Sequence, residues 1–181
     1  MGNFQEHARS KVVSVGDMMP ELLLADEKGK DWRLSEHMGK VVVLLFYPQN
    51  ETLMCTKQLC SLRDRWGDYL ETKAEIVGIS PAEPDEHAEF AKKYRLPIRL
   101  LADQGRAATR AYAKHPIYPV SFTRAVIVVD AEGRVRARHV MLRAFRPNDD
   151  DVIAAIYAAR GDHLDKKYAR VRSKIRGMLL R

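Results

Sequence analysis

Only two cysteines occur in the 181 residues, too few for a secreted disulfide framework. They do not form a Cys-x-x-Cys pair, which excludes a thioredoxin-type dithiol. The histidines (His7, His37, His87, His115, His139, His163) are scattered along the chain. The further ligands that a zinc site needs beside the cysteines are therefore missing. Long apolar runs are absent as well. The longest, Val41 to Tyr47, is seven residues, far short of a membrane span. No glycine-rich phosphate loop and no Ser/His/Asp arrangement can be placed. The opening MGNFQEHARS holds no apolar stretch of signal-peptide type and no hydroxyl residue where myristoylation requires one. These absences lead to the expectation of a soluble, cytoplasmic protein that binds no metal.

What is present is ordinary globular material. Hydrophobic residues make up 46% of the chain and charged residues 30%, enough for one domain with a single substantial core. The net charge of +7 is unevenly spread. Residues 161–181 hold seven basic side chains against Asp162 and Asp165, a local balance of +5, and the other 160 residues carry only +2. The body is nearly neutral and the tail is basic.

Periodicity divides the body into alternating strands and helices. LLLADEKGKDWRL (22–34) reads as two short strands around a turn at Lys28-Gly29-Lys30. VVVLLFYP (41–48) is too apolar to alternate, as expected of a strand covered on both faces. Residues 55–72 form one predicted helix, with Leu59, Leu62, Trp66, Tyr69 and Leu70 at three- and four-residue spacing. Strands follow at 75–80 and 96–103, and helices at 84–96 and 105–113. Residues 124–141 read as a hairpin turning at Asp130-Ala131-Glu132-Gly133, and 148–160 as a closing helix. The order implies an α/β fold with a central mixed sheet and helices on both faces. A thioredoxin-like architecture is compatible with it, as are other small α/β folds.

Cys55 falls where a buried strand gives way to a helix, the end of an open sheet at which sites form. A thiol in a helix's first turn faces the positive end of the dipole, which favours the thiolate. From position alone it reads equally well as a small buried hydrophobe. Cys60 follows five residues later. On an intact helix that spacing means a rise of about 7.5 Å and side chains about 140° apart. A disulfide needs Cα atoms within about 7 Å and converging Cβ vectors. The pair is thus two unrelated thiols, or a redox couple whose cycle unwinds the start of the helix.

Pro48-x-x-x-Thr52-x-x-Cys55, directly after Phe46-Tyr47, resembles the active-site pattern of the peroxiredoxins. The longer stretch FYPQNETLMCTKQLCSLRD (46–64), with Cys60 and then Arg63-Asp64, is similar to the bacterioferritin comigratory protein or peroxiredoxin Q subfamily. The likeness continues through VGD and PE (15–21), VGIS (77–80), LPIRLLAD (96–103) and RAVIVVDAEGRV (124–135), and covers about residues 14–160. The resemblance implies a thioredoxin-like fold and a thiol peroxidase acting on hydrogen peroxide and organic hydroperoxides. Cys55 would be the peroxidatic cysteine and Cys60 the resolving one, joined in a Cys55–Cys60 disulfide when oxidised. Thr52 would hydrogen-bond the peroxide, Pro48 shield the sulfenic acid, and Arg124 stabilise both the thiolate and the departing oxygen. No cofactor is implied, and thioredoxin or a similar dithiol would re-reduce the enzyme.

Two departures from the family pattern stand near the cysteine. Leu53-Met54 replaces the usual Pro-Gly and borders the expected substrate pocket, where its bulk would narrow access, favour organic hydroperoxides or slow the reaction. Gln49-Asn50-Glu51 partly replaces acidic residues. Gln58 stands where Glu or Gln is usual.

Other residues have plainer readings. Arg63 braces the helix, Ser80 forms a turn or cap, and Trp32, Trp66, Tyr112 and Tyr157 are core. Arg134, Arg136 and Arg138 alternate with Val135, Ala137 and His139 and line one solvated face. Two other functions stay open, a general thiol–disulfide oxidoreductase and a weakened scaffold protein acting through its tail. The sequence divides into an N-terminal extension (1–13), the domain (14–160) and a basic amphipathic helix (161–181) with Leu164, Tyr168, Val171, Ile175, Met178 and Leu179 on one side. That helix would dock on its own domain or a second copy, making the protein a monomer or a dimer, or would rest on an anionic membrane. Specific nucleic-acid recognition fits it least.

Overall fold

The computed structural model describes residues 12–161. The expected basic helix lies outside the described residues except for Gly161, as does the N-terminal extension except for residues 12 and 13. Seven strands form one mixed sheet: β1 (Leu23–Asp26), β2 (Asp31–Arg33), β3 (Val42–Phe46), β4 (Glu75–Ser80), β5 (Arg99–Ala102), β6 (Thr123–Val129) and β7 (Val135–Leu142). Their order across the sheet is β2-β1-β5-β4-β3-β6-β7. β3, β4 and β5 run parallel, and the outer pairings are antiparallel. The helices are α1 (Leu53–Asp64), α2 (Trp66–Glu71), α3 (Pro84–Tyr94), α4 (Ala107–Tyr112) and α5 (Asp149–Ala159).

The apolar run after residue 41 is explained by two cores. Val43, Leu45 and Tyr47 pack with Cys55, Leu59 and Leu62 of α1, Phe90 of α3 and Ile153 of α5. Val42, Leu44 and Phe46 face the other way, toward Trp32, Ala108 and Tyr112. A strand with both faces covered has no need for a polar alternation.

Both hairpins use one device. Asp26 and Asp130 are buried at the first turn position, and Gly29 and Gly133 stand three residues on with φ of 73° and 85°. Asp26 Oδ1 accepts from the amides of Lys28 and Lys30, both at 2.9 Å. Asp130 Oδ1 accepts from those of Glu132 at 3.1 Å and Arg134 at 2.7 Å. The carboxylates satisfy turn amides that no strand can reach.

Two expectations are corrected. The helix expected over 55–72 is two helices, broken at Arg65 (φ −105°, ψ 19°). Arg65 is held there by ion pairs to Asp68 at 2.8 Å and Asp150 at 2.6 Å. The break re-phases the apolar stripe and leaves Leu70 exposed. Arg134, Arg136 and Arg138 do not share one solvated face. A bulge at Val128/Val129 makes Arg136 the extra residue and sets Arg138 opposite Ile127. Arg138 is there partly buried and donates to the carbonyls of Tyr112 at 3.0 Å and Lys114 at 2.8 Å. Trp32 and Tyr112 are core as expected, and Trp66 and Tyr157 pack partly buried against the first core.

Under the loop that leaves β3 lies a buried polar knot. The Tyr47 hydroxyl donates to Asn50 Oδ1 at 2.9 Å, and Ser80 Oγ reaches the same oxygen at 3.5 Å. His87, wholly buried on α3, sets Nδ1 3.4 Å from the Tyr47 hydroxyl and Nε2 3.5 Å from Ser80 Oγ. Burial raises the Tyr47 phenol far above its ordinary range and lowers the His87 imidazole, so both stay neutral.

Two outcomes follow from these features. Asp130→Ala should lower the urea-unfolding free energy by about 2 kcal/mol by orphaning turn amides, whereas Glu132→Ala should change it little. For His87 the folded state resists the proton that the unfolded chain accepts near pH 6.5. Stability should hold level above that pH and fall as the pH drops below it. His87→Asn should flatten the slope of urea midpoint against pH between 7 and 5; parallel slopes would remove His87 as its source.

Candidate active site

The site is built where β3, β6 and α1 meet. β3 and β6 are antiparallel with Phe46 opposite Ala125, so the start of β6 lies beside the end of β3. Arg124 shares a strand face with Val126 and Val128, both in the core that α1 covers. Pairing register and strand alternation thus aim a guanidinium at the first turn of α1. Arg124 is fully buried.

Thr52 is the N-cap of α1, in extended conformation, and makes no side-chain capping bond. Cys55 is therefore the third helical residue, at the end where amides lack intrahelical acceptors. α3 and α5 carry acids in their first turns, and α1 carries none. No carboxylate competes there for the positive end of the helix.

Cys55 is fully buried and is a free thiol. Arg124 Nη2 donates to its Sγ at 3.2 Å and to the carbonyl of Arg143 at 3.4 Å. Arg124 Nη1 donates to Gln58 Oε1. Gln58 is one turn past Cys55 on the same helix, so helix and guanidinium are tied at two points. Among the described residues Arg124 makes no ion pair.

The loop into α1 is pinned from three sides. Arg106 Nη2 donates to the carbonyl of Pro48 at 3.0 Å, and Pro48 is buried. Asn50 enters the polar knot below. Glu51 has φ of 60°, a left-handed conformation for a non-glycine residue, and Lys93 holds its carboxylate at 2.8 and 2.9 Å. A cavity of about 510 Å³ opens on the outer side of this loop, between Glu51, Glu86 and Arg106.

The expected site residues are therefore partly gathered. Cys55 and Arg124 touch, and Pro48 and Thr52 flank them on one loop. Leu53 is 70% exposed and Met54 half-buried, beside Thr52 at the start of the helix. Cys60 is a free, half-buried thiol further along α1. With α1 intact the two cysteines are unbonded. Arg63 braces the helix, donating to the carbonyl of Tyr94 at 2.7 Å and to Asp64. Ser80 forms the expected turn by accepting from the amide of Ala82 at 3.4 Å, and it also joins the polar knot. Tyr47, Asn50, His87 and Arg106 were absent from the expected set. For His87 a signal existed in its spacing to Phe90 on the buried stripe of α3. Among the described residues no cluster of histidine, cysteine and acidic side chains suits a metal, and no helix is long and apolar enough to cross a membrane.

The chain is similar to known proteins in sequence and in fold. Residues 15–138 match the profile of the AhpC/TSA family. "Peroxiredoxin Q, chloroplastic" of Triticum aestivum is 39% identical over 136 residues, 75% of this chain and 62% of that protein. "Peroxiredoxin Bcp" of Bacillus subtilis is 31% identical over 129 residues, 68% of this chain and 82% of that protein. The crystal structure of peroxidoxin BcpB from Mycobacterium tuberculosis superposes with a TM-score of 0.69 at 32% identity, covering 82% of this chain and 99% of that one. The chain spans less than two thirds of the plant relatives, and 46% of the Gentiana triflora protein. With a profile match over more than half its length and a bacterial relative covered for most of its span, the chain belongs to the AhpC/TSA family.

Proposed function

We propose that the protein is a thiol-dependent peroxidase that reduces hydrogen peroxide and organic hydroperoxides through Cys55 and Cys60. The observation that carries this reading is the 3.2 Å contact between the buried Arg124 guanidinium and Cys55 Sγ at the start of α1. Family membership and the peroxiredoxin relatives support it.

In the first step the Cys55 thiolate attacks one peroxide oxygen. An S–O bond forms, the O–O bond breaks, and the leaving oxygen departs as water or alcohol with a proton. Arg124 stabilises the charge that grows on that oxygen. Thr52 hydrogen-bonds the peroxide, and Pro48 limits access of water to the oxidised sulfur. Leu53 and Met54 offer apolar surface at the mouth, suited to organic hydroperoxides. Cys55 is fully buried, so a peroxide reaches it only as the wall of the site yields.

In the second step the Cys60 thiol attacks the Cys55 sulfenic acid. An S–S bond forms, the S–O bond breaks, and water leaves. Five residues along a helix are too far apart for this bond, so the start of α1 must unwind. A dithiol of the thioredoxin class then reduces the disulfide, and no cofactor takes part. The catalytic domain is residues 14–160, with the basic tail a separate docking element.

Stopped-flow mixing with hydrogen peroxide and with an alkyl hydroperoxide tests the first step. Cys55→Ser should fall to the uncatalysed background, and Arg124→Leu should be slower by about 100-fold. Equal, negligible rates for wild type and Cys55→Ser would overturn the peroxidase reading. Intact-protein mass spectrometry tests the second step. After one equivalent of peroxide the wild type should lose two hydrogens, and Cys60→Ser should instead gain oxygen. The same product from both would remove Cys60 as the resolving partner.

A further inference from the structure

The polar ties of α1 divide sharply at Cys60. N-terminal to it, Cys55 and Gln58 are both held by Arg124. From Ser61 onward the ties run elsewhere, chiefly to the first turn of α5. Ser61 Oγ donates to Asp149 Oδ2 at 2.5 Å, and the Tyr69 hydroxyl of α2 donates to Asp149 Oδ1 at 2.7 Å. Arg65 pairs with Asp150 at 2.6 Å. Arg63 donates to the carbonyl of Tyr94 at 2.7 Å. Asp149 is itself fixed at the start of α5, where Asn148 caps the helix by accepting from the amide of Asp150 at 2.9 Å. Its side chain is 12% exposed, with Arg146 at 3.8 Å.

Ser61 is thus the first anchored residue after the resolving position, one peptide away from it. A short hydrogen bond from a hydroxyl to a carboxylate is among the stronger side-chain ties. Whatever releases Cys60 from the helix has to move Ser61 or swing about it.

We infer that the Ser61–Asp149 hydrogen bond is a brake on disulfide closure, holding Cys60 in the helix and lengthening the life of oxidised Cys55. This rests on the reading of Cys60 as the resolving cysteine. The brake sets a partition. Oxidised Cys55 either condenses with Cys60, releasing water, or meets a second peroxide. The second course adds another oxygen to the sulfur, giving the sulfinic acid, while that peroxide is reduced to water or alcohol. A slower closure sends more of the enzyme down the second course. Ser61 and Asp149 are positioning residues here, since neither touches the reacting atoms.

The test is rapid-quench oxidation of the full chain with excess hydrogen peroxide, read by intact mass. Ser61→Ala should close the disulfide about tenfold faster and yield correspondingly less sulfinic acid, with the rate of the first step unchanged. Alanine is the better helix former, so a general loosening of α1 cannot produce that result. Ser61→Thr keeps the hydroxyl and should return both readouts to wild type. Tyr69→Phe, which removes the other hydroxyl from Asp149, should leave closure within about twofold of wild type. Closure in Ser61→Ala equal to or slower than in wild type overturns the brake while leaving the disulfide reading intact. Absence of any disulfide in oxidised wild type overturns the reading on which the brake rests.

Discussion

A buried guanidinium governs this structure. Taking a cation out of water is costly unless hydrogen bonds and a negative group compensate it. Arg124 is fully buried, and the acceptors around it are the Gln58 amide oxygen, the Arg143 carbonyl and the Cys55 sulfur. The sulfur is the one among these that is able to carry a negative charge. The fold thus sets a buried cation directly against the Cys55 sulfur. A carboxylate in that position would satisfy the arginine but could not act as the nucleophile of the proposed reaction.

The rest of the fold keeps that contact in register. The antiparallel pairing of β3 with β6 brings Arg124 to the strand end from which the loop departs. The loop is then fixed by Arg106 on Pro48, by Lys93 on Glu51 and by the knot of Tyr47, Asn50, Ser80 and His87. The knot is neutral, because burial keeps the phenol protonated and the imidazole unprotonated. A neutral knot adds no charge to compete with Arg124 beside the sulfur.

Much of this was legible in the sequence where one local rule acted alone. The apolar run after residue 41 read as a strand covered on both faces, and turns at Lys28-Gly29-Lys30 and Asp130-Ala131-Glu132-Gly133 marked the two hairpins. Pro48, Thr52 and Arg124 stood out by resemblance to the peroxiredoxin pattern rather than by any local rule. What was not legible depended on partners distant in the chain. Arg65 breaks a helix because Asp150 reaches it, a contact across 85 positions. Arg138 turns inward because a bulge at Arg136 in its own strand, defined only by the pairing with β6, shifts its parity. His87 is a strand-end partner only once α3 has packed beneath the loop. Periodicity carries no information about such ties, since each is decided by which elements the sheet order makes neighbours.

α1 is asked for two opposed properties. In the proposed cycle its first turn must be formed for Cys55 to sit at the positive end of the helix against Arg124, yet the proposed Cys55–Cys60 bond requires that same turn to come apart. A uniformly stable helix would block the second step, and a uniformly weak one would lose the first. The break at Arg65 and the ties to α5 resolve the conflict by making the helix unequal along its length. Its C-terminal part is anchored to Asp149, Asp150 and the Tyr94 carbonyl. Its N-terminal part has polar ties to Arg124 alone among the described residues, together with the packing of Leu59. Local stability is set by such ties rather than by helix propensity. The guanidinium to which the proposed function gives the activation of the sulfur thus also ties the first turns of α1.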